Sequence, residues 1–229
     1  MKWNERIYFL VFLILCGCSS KITERNNEID AETKKEVGLI GLMFWDEGYA
    51  QRFLRPCDRK LDSLYRVLIK DPESVRKQQE FLEYFPDNFE DFRKTYGYNP
   101  KYSKKDPMYT AGEEHVYKGL ARLDKLPDTL YYTKLIKLSI GGKWVADAIS
   151  ALQETVQKKT MEKPQLLLSL LSQYSPEKIY SFWYFYFNSL HPLEGGIPAV
   201  FFEMQSEYPK VYRELFRAFE DSDGQATCD

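Results

Sequence analysis

The chain has 229 residues with 44% apolar content, enough for one medium-sized domain or two small ones to build a core without disulfides, and we favour one domain. Its 32 Lys and Arg nearly balance 34 Asp and Glu, which argues against nucleic acid as the main partner. Aromatic residues are abundant, with 17 Tyr, 15 Phe and 4 Trp. This excess indicates either an aromatic core or a tyrosine-lined contact face for another protein.

The first 18 residues have the order of a secretory signal peptide. Two basic residues, Lys2 and Arg6, precede an apolar run at 7–15, and a small residue then precedes Cys18. This apolar run is too short to cross a bilayer, which takes about 20 residues, so a transmembrane helix is disfavoured here. The pattern predicts export from the cytoplasm.

Leu15, Cys16 and Gly17, followed by Cys18, resemble the lipobox of bacterial lipoproteins. The resemblance implies that residues 1–17 are removed and that Cys18 becomes acylated. Three acyl chains on Cys18 would form an effectively permanent anchor in the cell envelope. Ser19 stands where inner-membrane retention signals usually have Asp, which favours the outer membrane and leaves the leaflet open.

A polar stretch separates this signal from the rest of the chain. Residues 19–35 contain only two large apolar side chains, Ile22 and Ile29, so they cannot repay the entropy of ordering. We therefore expect residues 18–35 to form a flexible tether that reaches up to about 50 Å from the membrane. A single domain is predicted over 36–220, followed by a polar tail at 221–229.

From residue 36 onward, apolar residues recur at helical spacing between residues that favour helix starts and ends. The first clear apolar stripe is Leu61, Leu64, Val67 and Leu68. Further helices are predicted to begin at or near Asp71, Asp87, Ala111, Asp128, Lys143, Pro164, Ser175, Pro198 and Pro209. Residues 98–108 have the composition of a loop.

The strongest periodic segment lies between residues 143 and 159. Its apolar positions are predicted to be buried as one stripe: Val145, Ala148, Ile149, Leu152 and Val156. Gly97 is expected to end a helix in the left-handed conformation. The segment 135–140 also fits a short strand, but no other alternating pattern interrupts the helices. The sequence therefore predicts an all-α, irregular multi-helix bundle of about eight to ten helices after the flexible tether.

Six consecutive aromatic residues occupy positions 182–187. Consecutive helical residues point about 100° apart, so the six side chains cover every side of a helix. Such a helix is either surrounded by other helices or covered by a partner. Trp183 and Tyr186 share one face, and together with Tyr184 they are the candidate partner-binding residues.

Residues that could support catalysis or metal binding are few. His115 follows two acidic residues but is expected at an exposed helix start, and His191 is expected at a helix end. Asp221 begins a segment similar to the middle of a calcium loop, but the twelve-position pattern is incomplete. No catalytic, cofactor-binding or metal-binding residue is therefore predicted.

Cys57 and Cys228 remain after processing, besides the acylated Cys18. The envelope is oxidising, so these two residues are a candidate disulfide. The position of Cys228 near the end of the polar tail argues against pairing.

Three functions are compatible with these patterns. The first is a non-enzymatic, membrane-tethered protein-binding module, for example an immunity or inhibitor protein against an envelope-acting toxin. The second is an envelope hydrolase or glycan-processing enzyme with paired carboxylates, and the third is an accessory subunit of an envelope complex. We favour the binding module, because abundant acidic residues are normal for a protein surface. A flat aromatic patch would support binding, and two carboxylates facing each other in a pocket would support the enzyme.

Overall fold

The computed structural model describes residues 55–98, 107–189 and 196–223, and this part of the chain is helical, without strands. The described residues belong to one compact unit. The predicted all-α bundle is thereby confirmed for the described residues. No helix among them is long and apolar enough to cross a membrane. The helices are α1 (Pro56–Lys70), α2 (Val75–Tyr84), α3 (Phe89–Tyr96), α4 (Pro107–Glu114), α5 (Asp128–Ser139), α6 (Ala148–Glu162), α7 (Pro164–Leu171), α8 (Pro176–Phe187), α9 (Ala199–Glu203) and α10 (Pro209–Asp223).

Proline and short polar residues start several of these helices where the sequence predicts. Pro164 and Pro176 occupy the first turns of α7 and α8, where the missing amide hydrogen costs nothing. Asn88 caps α3 by accepting a hydrogen bond from the Asp91 amide, one residue later than predicted. Asp71 ends α1 instead of starting the next helix, and α2 begins only at Val75.

The core is built around α8, which packs against α5, α6 and α10. A second group of contacts joins α1, α2 and the segment after α4, with α3 between the two groups. Phe89 at the start of α3 packs edge-on against Phe185 of α8, with 5.6 Å between ring centroids. The buried apolar residues therefore form one continuous core.

The helix that starts at Pro107 changes its winding before it ends. Residues His115–Gly119 form a π-helical turn, and Leu120–Arg122 form a 3₁₀ turn. A Cβ atom on Gly119 would lie 2.8 Å from the ring of Phe81, so only glycine permits this close approach. The wide π turn places His115 in the core, and π turns often mark functional sites.

Two local predictions are wrong, and one open alternative is excluded. Val145 is 51% exposed because α6 begins only at Ala148, after Asp147 takes a positive φ of 66°; the other four residues of the predicted stripe are buried. Gly97 ends α3 in an extended conformation, and glycine is needed because a Cβ would lie 2.3 Å from the Arg93 carbonyl oxygen. The segment 135–140, which also fitted a strand, belongs to α5 and its C-terminal end.

Candidate functional site

The aromatic helix α8 lies inside the domain. Trp183 is 0% exposed and Tyr186 is 1% exposed, so neither residue can anchor a partner on the surface. Both rings pack edge-on against Phe201 of α9, and α5, α6 and α10 also pack against α8. This corrects the interpretation of Trp183 and Tyr186 as candidate partner-binding residues. The third candidate, Tyr184, is partly exposed.

Tyr184 belongs to a small surface cluster between α8 and α10. Its ring stacks on Tyr180, with 5.9 Å between centroids, and the guanidinium of Arg217 lies 4.0 Å from the centre of the Tyr180 ring. The Tyr180 hydroxyl donates a 2.8 Å hydrogen bond to Asp221. Burial and this hydrogen bond raise the pKa of Tyr180 to about 12. The cluster fastens α10 to α8, and it places Asp221 in a helix instead of the predicted tail.

A different set of aromatic residues faces solvent near the C-terminus of the domain. Phe202 of α9 is 48% exposed and Phe216 of α10 is 43% exposed. The ring of Tyr212 lies 5.9 Å from that of Phe202 and one helical turn before Phe216. We call these three residues the C-terminal aromatic patch. The i, i+4 spacing of Tyr212 and Phe216 indicates that the two rings share one face, but it does not indicate that this face meets solvent.

A groove of about 250 Å³ lies between α1, α2 and α3. Its four carboxylates are those of Asp58, Glu83, Asp87 and Asp91. The Asp58 carboxylate accepts two hydrogen bonds from Arg55, at 2.6 and 2.9 Å, and Asp87 lies 2.6 Å from the Lys134 ammonium. Burial lowers the pKa of Lys134, and Asp87 opposes this effect. Asp58 and Asp87 are therefore each paired with a cation of the fold.

Cys57, one half of the candidate disulfide, has an exposed thiol at the edge of this groove. Its proposed partner Cys228 lies outside the described residues, as do Cys18 and His191, so the pairing stays a prediction. No group of three or more His, Cys, Asp or Glu side chains in the described ranges could hold a metal ion.

A buried polar chain of three side chains was not predicted. Tyr96 of α3 hydrogen-bonds through its hydroxyl to Nδ1 of His115 at 3.0 Å, and Nε2 of His115 lies 3.5 Å from Asp62 of α1. The Tyr65 ring covers the imidazole, with 4.3 Å between ring centroids. His115 is 0% exposed, which corrects its expected place at an exposed helix start. The cause is the π turn, which the sequence pattern around Glu114 does not reveal.

Burial and nearby charges shift two pKa values in this chain. Burial, together with the nearby Asp58 and Asp62, raises the pKa of Tyr96 well above its ordinary value, so its hydroxyl keeps its proton. The interaction with His115, followed by that with Arg66, holds the pKa of Asp62 below its usual range although partial burial opposes this. Since Tyr96 and His115 are closed to solvent, the chain orders α1, α3 and α4 and offers no access for a substrate.

Comparison of the chain with protein-family models, with curated proteins and with solved structures gives no match. Function is therefore inferred from the geometry of the described residues. Among the sites described above, the C-terminal aromatic patch presents two phenylalanine rings to solvent.

Proposed function

We propose that the protein is a lipid-anchored lipoprotein of the bacterial envelope and that its helical domain binds a protein partner without catalysing a reaction. The anchor is Cys18, and residues 18–35 are the tether. The outer membrane is the expected location. Neutralisation of an envelope-acting toxin is one specific form of this function, and the identity of the partner tests it.

The observation that supports binding is the C-terminal aromatic patch. Phe202, Tyr212 and Phe216 lie on two consecutive helices, and two of the three rings are more than 40% exposed. Aromatic residues are enriched in the centre of protein interfaces because they bury a large area at a small entropic cost. A patch of this kind, bordered by Arg213 and Glu220, fits the centre and rim of an interface.

The alternative function, an enzyme with paired carboxylates, has less structural support. The groove between α1 and α3 contains acidic side chains, but Asp58 faces Arg55 and Asp87 faces Lys134. A general acid and base need to face a substrate instead of internal cations. The chain from Tyr96 to Asp62 has the residue types of a catalytic relay, but its Tyr96 and His115 are closed to solvent.

Site-specific photo-crosslinking in living cells tests the binding proposal. A photoreactive phenylalanine analogue placed at Phe202, Tyr212 or Phe216 should yield discrete protein adducts. The same analogue at Leu130, which is 47% exposed on α5, and at Tyr84, which is 53% exposed on α2, serves as the matched control. Adducts that form with the analogue at the patch positions but not at the control positions support the proposal. Absence of adducts at all three patch positions, or equal adducts at the controls, would overturn it.

Metabolic labelling with a palmitate analogue tests the anchor. The unchanged chain should incorporate the label and Cys18→Ser should not. A Cys57→Ser variant is the control, because its thiol is exposed and lies outside the proposed signal. Label retained by Cys18→Ser would show that the anchor lies elsewhere.

A further inference from the structure

The exposed face of α10 has an ordered arrangement of charged and aromatic side chains. Its buried side consists of Val211, Glu214, Leu215 and Ala218. With successive residues 100° apart, Arg213, Phe216 and Glu220 fall together on the opposite side. Phe216 is 43% exposed, the Arg213 side chain is 67% exposed, and Glu220 is exposed. One face of α10 therefore presents a ring between a cation and an anion.

The charges on this face of α10 complement those of a second copy in one relative orientation of the two helices. Arg213 lies three residues before Phe216, and Glu220 lies four residues after it. If two copies of α10 cross antiparallel with a two-fold axis beside Phe216, Arg213 of each copy lies opposite Glu220 of the other. A parallel pair would place like charges opposite each other, which is unfavourable across an interface.

We infer that a second copy of this chain is the partner of this face, with the two α10 helices antiparallel and the two Phe216 rings meeting at the axis. This inference rests on the proposed function, because it names the partner of the same aromatic patch. A symmetric pair uses the same residues on both sides, as in most homodimers. Tyr212 and Phe202 would lie beside the central ring and extend the contact.

The proposed contact is small. The 15 residues of α10 span about 22 Å, so a single pair of helix faces buries less than the standard interface of about 1,600 Å². A weak association in solution is expected. Anchoring both copies to one membrane through Cys18 would raise their effective concentration and favour the pair without any new contact.

Exchange of either charged position keeps at least one cation beside the buried Glu214. The Nε of Arg213 lies 2.9 Å from the carboxylate of the buried Glu214, but Arg217 also holds Glu214 at 2.9 Å. Replacement of Arg213 thus leaves Glu214 with a cation. Glu220 is exposed near the end of the helix.

A charge-exchange experiment on the full chain in native membranes tests the inference. Two differently tagged copies are expressed together with the photo-crosslinker at position 212, and the adduct that contains both tags is measured. Arg213→Glu alone or Glu220→Arg alone should reduce this adduct about tenfold, because each variant brings like charges together. Cells that express Arg213→Glu with one tag and Glu220→Arg with the other should regain it. Lys137→Glu, an exposed exchange on α5, should have no effect.

Recovery of the mixed-tag adduct by the complementary pair would establish the antiparallel contact. Absence of a mixed-tag adduct with unchanged charges, or failure of the complementary pair to recover it, would overturn the inference. If position 212 gives adducts of another mass but no mixed-tag species, the proposed function is retained and only this inference is overturned. Absence of all adducts at the patch would overturn both. Circular dichroism of each variant confirms that the fold is retained.

Discussion

The two aromatic helices α8 and α10 pack against each other but place their rings in opposite environments. In α8 the rings are consecutive, and five of the six between 182 and 187 are buried. In α10, Tyr212 and Phe216 are one turn apart on the side away from the core, and Phe216 is 43% exposed. A high density of aromatic residues in a helix therefore does not by itself indicate rings that face solvent.

The physical reason is the helical period. Consecutive rings point in all directions around a helix, so they are removed from water only when other helices surround it. Rings at i, i+4 occupy one side, and the other side of the same helix can pack into the core. In α10 that other side includes Val211, Leu215 and Ala218, all buried.

The largest expected difference between the two helices is in stability. Trp183→Ala should lower the free energy of unfolding by about 3 to 5 kcal/mol, because it removes a fully buried indole. Phe216→Ala should change it by about 0.5 kcal/mol or less, as surface substitutions usually do. Urea unfolding followed by circular dichroism measures both. Equal losses in the two variants would show that the two environments do not differ.

The same contrast extends to α6, which packs against α8. Leu152→Ala should cost about 2 to 5 kcal/mol because Leu152 is 0% exposed, whereas Val145, from the same predicted stripe, is 51% exposed. Val145→Ala should therefore have little effect on the urea midpoint. A large loss in Val145→Ala would place the start of α6 earlier than Ala148.

The sequence predicts the helices well because their signals are local. Pro164, Pro176 and the apolar spacing of α6 and α8 indicate the elements directly. Burial of His115 depends on the π turn and on rings from α1, α2 and α3 that lie far away in the sequence. The exposure of Val145 depends on the positive φ of Asp147, which the stripe alone does not reveal.

A smaller effect is expected in the pH dependence of stability, for which Asp62 is compared with the exposed Glu220. The pKa of Asp62 is lowered in the folded state. The carboxylate therefore stabilises the fold fully above its pKa in the unfolded chain, about 3.9, and this stabilisation is lost as the pH falls through its lower pKa in the folded chain. Asp62→Asn should melt lower at pH 7 and lose less stability than the unchanged chain between pH 5 and pH 2. Glu220→Gln, on the exposed face of α10, is the control for removal of a surface carboxylate. Identical pH profiles for Asp62→Asn and the unchanged chain would show that the Asp62–His115 contact does not stabilise the fold.

Hydroxyl-radical footprinting of the folded full chain, read by mass spectrometry, tests the central contrast most directly. Indole is intrinsically more reactive than phenyl, so protection of Trp183 is informative. The account predicts that Phe202 and Phe216 are oxidised readily while Trp183, Phe182 and Phe185 stay protected until the protein is unfolded in urea. Rapid oxidation of Trp183 in the folded chain, or protection of Phe202 and Phe216 in a chain shown to be monomeric and without a partner, would contradict it.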